Sequence, residues 1–231
     1  MRSTSRPHDS ALDLGLGSSV LVAALAMLTG CEAGEPKAVA GPPAASTAAE
    51  AAKPDRSFAV IAGPDEPGEP LEVHGVVFQP DGVTPAAGVV VYVYHTGADG
   101  RYQRERGAPP RLRAWLVTDA QGRYGYRTIR PASYPDSTIS AHVHTQLWSA
   151  WYPAQYGTEL LFDDDRFMTD EERARSRSLG PFAYVCKPER GADGVLRTTH
   201  DLRLSDDGDE FEDSTRHGLR DRPASISPPP K

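Results

Sequence analysis

His142 and His144 stand two residues apart in the segment Ile139 to Trp148 (ISAHVHTQLW). Apolar and polar residues alternate there with the period of a half-buried strand. Side chains at i and i+2 of a strand point to the same face, so both imidazoles can reach one metal ion. A plainer reading stands beside it, because a half-buried strand also takes histidine with no ion present. The only cysteines are Cys31 and Cys186, too few to build a thiolate site. Any further ligands must be Asp, Glu, Tyr or water. Hard oxygen donors of that kind suit a highly charged, oxygen-loving ion better than copper(I) or a structural zinc. No P-loop, Rossmann fingerprint or zinc-type cysteine pair offers other chemistry.

Short strands must position such a pair. Gly and Pro number 21 each, about 18% of the 231 residues. That is above the roughly 12% of ordinary proteins, and so favours many turns. Leu71, Val73, Val76 and Phe78 precede a turn at Gln79-Pro80-Asp81-Gly82, and Val89 to Tyr94 (VVVYVY) is a β-branched and aromatic run. Arg113 to Thr118 and Arg123 to Ile129 flank the hairpin signal Asp119-Ala120-Gln121-Gly122. Strands are expected again at Phe182 to Lys187 and Leu196 to Leu204, and Ser57 to Ala62 offers an edge strand. Phe167 to Ser178 is the one helical patch, with Thr169 as its cap and Glu172 in capping-box position. The expected fold is all-β: a sandwich of mostly antiparallel strands over residues 71–205 with one short helix.

The flanks read differently. Ser18 to Leu28 (SSVLVAALAML) is an apolar run behind Arg2 and Arg6, shorter than the ~20 residues of a membrane-spanning helix. It ends in Leu28-Thr29-Gly30-Cys31, which resembles a bacterial lipobox. That resemblance implies a signal peptide over 1–30, lipidation at Cys31 and export to the cell envelope on a lipid anchor. Residues 31–70 then serve as a flexible tether. Cys186 is left unpaired, as an apolar packing residue. At the other end, six of the eight residues Asp206 to Asp213 are acidic and the chain closes on prolines. Residues 206–231 are expected to be a disordered, solvated tail. A net charge of −7 argues against a nucleic-acid partner.

Several motifs then run in order. They are Gly75-Val76-Val77, Asp81-Gly82, Gly88-Val89-Val90-Val91, Asp99-Gly100-Arg101-Tyr102, Gly122-Arg123-Tyr124, Arg127-Thr128-Ile129, Tyr134-Pro135 and His142-Val143-His144. This series resembles the core of the intradiol ring-cleavage dioxygenases, protocatechuate 3,4-dioxygenase among them. Taken singly, Tyr102 reads as a turn-rim residue and Tyr134 as a turn residue held extended by Pro135. The resemblance implies that Tyr102, Tyr134, His142 and His144 bind iron(III), and that Tyr134 is the ligand that gives way to substrate. The implied activity is cleavage of a small aromatic diol between its two hydroxyls with O2, giving a muconate-type diacid. The iron would act as Lewis acid and template.

One position departs from the pattern. Family members carry an arginine three residues before the first histidine, where this chain has Ile139, and Asp136 replaces the usual aromatic after Tyr-Pro. Isoleucine offers neither charge nor hydrogen bond. Arg127 and Arg130 are the nearby candidates to make good the loss. A second reading is therefore kept: a non-catalytic metal-binding or scaffold sandwich on a membrane-anchored lipoprotein.

Overall fold

Alternation of buried valine and leucine with polar residues is what folds this chain into strands. In the computed structural model, residues 56–103, 108–208, 218 and 221–226 are described. Residues 1–55, with the expected signal peptide, Cys31 and most of the tether, lie outside them. Among the described residues no helix is long and apolar enough to cross a membrane.

Among the described residues, twelve strands form two sheets. In chain order they are β1 (Phe58–Val60), β2 (Pro70–Phe78), β3 (Val90–His95), β4 (Leu112–Val117), β5 (Arg123–Ile129), β6 (His142–Trp148), β7 (Gln155–Tyr156), β8 (Leu160–Phe162), β9 (Val185–Cys186), β10 (Glu189–Arg190), β11 (Leu196–Thr199) and β12 (Leu202–Arg203). One sheet has the order β1-β5-β2-β11-β10, with β12 also on β2; the other has β4-β3-β6-β8-β9, with β7 also on β6. The long pairings are antiparallel, while β1, β9, β11 and β12 join through short parallel pairings to β5, β8 and β2. Leu71, Val73, Val91, Val93, Leu116, Val143, Leu147 and Leu160 are fully buried in the core between the sheets. Each such side chain contributes about 1.5–3 kcal/mol by leaving water. The expected sandwich is the observed one.

Differences from expectation trace to side chains that capture backbone groups. The strand expected from Ile139 starts only at His142, because Ile139 N–H donates to Ser137 Oγ and Ala141 N–H to Asp165 Oδ2. Leu196 to Leu204 breaks into β11 and β12 at His200-Asp201, where Asp201 Oδ1 accepts from Val76 N–H. A Cβ on Gly75 would sit 2.0 Å from His200 O, so only glycine lets the break lie against β2. Phe182 belongs to a 3-10 turn (Gly180–Phe182) that shortens the expected strand to β9. Helix α1 (Asp170–Ser178) is capped by Thr169 as expected. Its capping box is only half made, since the Glu172 carboxylate accepts from Tyr184 Oη instead.

Two boundaries are corrected. Residues 56–70 belong to the sandwich rather than to a tether: β1 pairs with β5, Arg111 bridges to Glu66, and Arg130 N–H donates to Glu69 O. Part of the expected tail also packs down. Gly218 O accepts from Trp115 Nε1–H, Arg222 lies 4.2 Å over the Trp148 ring, and Ser225 O accepts from Arg56. Burying exposed indole and tyrosine faces outweighs the polarity of the segment there. His95 and His200 are structural. Both are buried, which lowers their pKa to about 4, and they bond Thr128 and Thr158 respectively. Cys186 is free and half-buried.

Candidate metal centre

β6 fixes the two histidines. Val143 and Leu147 point into the core with no exposure, so His142 and His144 face away from it, on the outer side of the second sheet. β3 runs on one flank with Tyr94 opposite His144, and its ring stacks on the imidazole at 4.5 Å between centroids. β8 runs on the other flank, with Leu161 opposite His142 and Leu160 opposite Val143.

The two tyrosines arrive on loops. Tyr102 follows β3 in a tight turn, in which Gly100 N–H donates to Gly97 O and Arg101 N–H to Asp99 Oδ1. Gly100 has φ +73°, and a Cβ there would sit 2.2 Å from Ser133 O, just before Tyr134. Glycine thus allows the two tyrosine loops to touch. Thr96 Oγ1 donates to Ala132 O and Ala132 N–H to Gly97 O, which laces them together.

All four sequence-derived residues meet. His142 Nε2 lies 3.0 Å from His144 Nε2. Tyr134 Oη is 3.0 Å from His142 Nε2 and 3.4 Å from His144 Nε2. Tyr102 Oη is 2.6 Å from His144 Nε2 and hydrogen-bonds Tyr134 Oη. Both imidazoles are turned the same way by their other nitrogens. His142 Nδ1 is 2.7 Å from Ser140 O, and His144 Nδ1 is 2.6 Å from the Glu159 carboxylate. Those partners accept only, so each Nδ1 carries the hydrogen and each Nε2 presents a lone pair.

Burial pushes the Tyr102 phenol far up, and its bond to Tyr134 adds to this. Burial raises Tyr134 too, against the opposing effect of the Tyr102 bond. Burial lowers His142, partly offset by Ser140 O. The site therefore holds two neutral phenols and a neutral His142 at neutral pH. The two phenol oxygens and the two Nε2 atoms converge on one point that a cation could occupy. Two hard oxygens and two imidazoles fit a ferric ion by donor type.

Glu159 was not found from the sequence. His142, His144 and Glu159 also form a group whose ligand atoms lie within 4.8 Å of one another. Since Glu159 meets His144 at Nδ1 while the tyrosines meet Nε2, the carboxylate lies behind the ring. The four-donor set is the better centre. Burial would raise the Glu159 carboxyl, but the hydrogen bond from His144 holds it below its ordinary value. A pocket of about 460 Å³ adjoins, lined in part by Ile139, Ser140, Glu159, Phe167 and Glu172. Arg127 and Arg130 are engaged elsewhere, with Glu72 and Asp164.

A family model described as Dioxygenase matches residues 40–204, well over half of the chain. Catechol 1,2-dioxygenase 1 of Acinetobacter lwoffii is 37% identical over 109 residues, covering 46% of this chain and 34% of that protein. Catechol 1,2-dioxygenase 2 of the same organism is 35% identical over 195 residues, covering 82% of this chain and 59% of that protein. The chain thus spans less than two thirds of the length of these relatives. The crystal structure of 3-chlorocatechol 1,2-dioxygenase from Rhodococcus opacus 1CP superposes with a TM-score of 0.52 at 20% identity, over 64% of each chain, and shares the fold. By the family model that covers most of its length, the chain belongs to the intradiol dioxygenase family.

Proposed function

We propose that this protein binds iron(III) through Tyr102, Tyr134, His142 and His144, and cleaves a catecholic substrate between its two hydroxyls with O2. The observation that carries the reading is the convergence of two phenol oxygens and two Nε2 lone pairs on one point. A bound ferric ion would supply Lewis acidity and a template for the diol. The chain's own residues do the rest. Ser140 O and Glu159 hold both rings in the tautomer that offers Nε2. Tyr134 sits on a loop turn, with Ser137 N–H donating to its carbonyl, rather than in a ladder. It is the ligand proposed to give way to a substrate hydroxyl and to take up its proton at Oη.

Reconstitution tests this. Purified protein with ferric iron should take up about one ion per chain and turn burgundy, since two phenolates replace two phenols. Uptake should release about two protons, because burial keeps both phenols protonated far above neutral pH. Apparent affinity should therefore rise with pH through the neutral range. His142, lowered by burial, competes for protons only below the ordinary histidine range. Oxygen uptake on adding catechol completes the assay. A colourless protein that releases no protons would favour the scaffold reading.

The proposal extends to location: an exported protein held to the cell envelope by lipid on Cys31, resting on the apolar run 18–28 and the Leu28-Thr29-Gly30-Cys31 motif. Cys31→Ser should move the protein from the membrane to the soluble fraction. Full retention in the membrane would make the run itself the anchor.

A further inference from the structure

Among the described residues, one carboxylate meets the candidate centre without belonging to its donor set. Glu159 reaches His144 Nδ1 at 2.6 Å, a charge-assisted hydrogen bond slightly shorter than the usual range. Its place follows from strand register. Leu160 pairs with Val143 and Leu161 with His142, so the next antiparallel step sets Glu159 across from His144, on the same face. The backbone around it is pinned on both sides. Gly157 N–H donates to Thr145 O, Thr158 Oγ1 bonds His200 Nε2 at 3.1 Å, and Leu161 N–H donates to Tyr184 O. Tyr94 stacks on the His144 ring from the opposite flank. His144 is therefore held by a ring on one side and a carboxylate on the other, while its Nε2 faces Tyr102 and Tyr134.

We propose that Glu159 is a positioning residue of the metal centre: through Nδ1 it holds the His144 ring and tautomer, and it adds negative charge behind the ligand. This rests on the iron reading above. A carboxylate on the far nitrogen makes the imidazole a stronger electron donor and favours the trivalent state of a bound iron. It does so without occupying a coordination position, because it bonds Nδ1 while Nε2 is the nitrogen turned to the tyrosine oxygens. The carboxylate also lines the adjoining pocket, and its side chain is 43% exposed, so solvent moderates its charge.

Two variants and two readouts test it. Glu159→Gln keeps an acceptor for Nδ1–H but removes the charge. It should load iron, with the tyrosinate-to-iron band moved to longer wavelength, because a less electron-rich ion accepts charge more easily. Glu159→Ala removes the acceptor as well, and iron should dissociate about 10–100-fold more readily. The second readout needs no metal: nitrogen NMR of the His144 ring. Wild type and Glu159→Gln should hold hydrogen on Nδ1, and Glu159→Ala should give a mixture of tautomers. A band unmoved in the Gln variant overturns the charge role. A folded Gln variant that keeps its tautomer yet loses the band altogether makes Glu159 a ligand, and overturns the positioning role. If wild type takes up no iron, the iron reading fails by itself. The tautomer then decides Glu159 alone, and an Ala variant with an unchanged ring overturns it.

Discussion

His142→Ala should strip the protein of iron, to less than about a tenth of the wild-type content, while the sandwich stays folded. The imidazole supplies one of the four converging donor atoms, and its neighbours cannot replace it: Ser140 O and Asp165 lie on the Nδ1 and loop side. Losing one donor of four removes the geometry as well as one bond, so the loss should exceed the 10–100-fold typical of an outer contact. The fold should survive, because β6 keeps Val143 and Leu147 in the core and its ladders to β3 and β8. Metal analysis after ferric reconstitution, with a thermal melt as control, gives the answer. Should His142→Ala lower the melting temperature and leave iron uptake intact, the histidine is a packing residue and the centre lies elsewhere. Tyr134→Phe makes the contrast sharper. It removes one oxygen and keeps the ring that meets His142 edge-on at 5.3 Å, so lost colour there reports the oxygen alone.

What the sequence made legible was what strand periodicity encodes. The shared face of His142 and His144 follows from a period of two, and the turns at Gly82, Gly100 and Gly122 follow from glycines whose observed φ is positive. The tyrosines were found through the order of motifs, because nothing local to a loop says which way its side chain points. Glu159 stayed hidden for a different reason. It precedes a strand of only three residues, and it meets His144 only because β8 pairs with β6 in one particular register. That information is tertiary. The same holds for β1, whose partner β5 lies more than sixty residues on, and for Gly218 and Arg222, which pack on tryptophans of β4 and β6. Ser57 to Ala62 was legible as an edge strand but its partner was not, and the composition around Gly218 and Arg222 reads as a tail where long-range burial decides otherwise.

Ile139→Arg should raise the rate of catechol cleavage by about two orders of magnitude at unchanged iron content. Ile139 is 55% exposed and lines the pocket beside the histidines, with no polar atom to offer a substrate that gains charge as it reacts. Neither neighbouring arginine makes this good, since Arg130 holds Asp164 at 2.9 and 2.6 Å and Arg127 holds Glu72 on the other sheet. A guanidinium at position 139 would restore a fixed cation. Its competitor is visible in the same pocket. Glu159 and Glu172 both line it, and a new arginine could pair with Glu159 and draw it off His144. That outcome has its own signature, because iron would then become labile, as in Glu159→Ala. Steady-state oxygen uptake at matched iron loading separates the cases. A faster variant with tightly held iron supports the missing cation. Equal rates in variant and wild type mean the reaction here needs no charge at this position. A fast wild type that the arginine inactivates would refute the view of Ile139 as a gap, and would mean the pocket is shaped around an apolar contact instead.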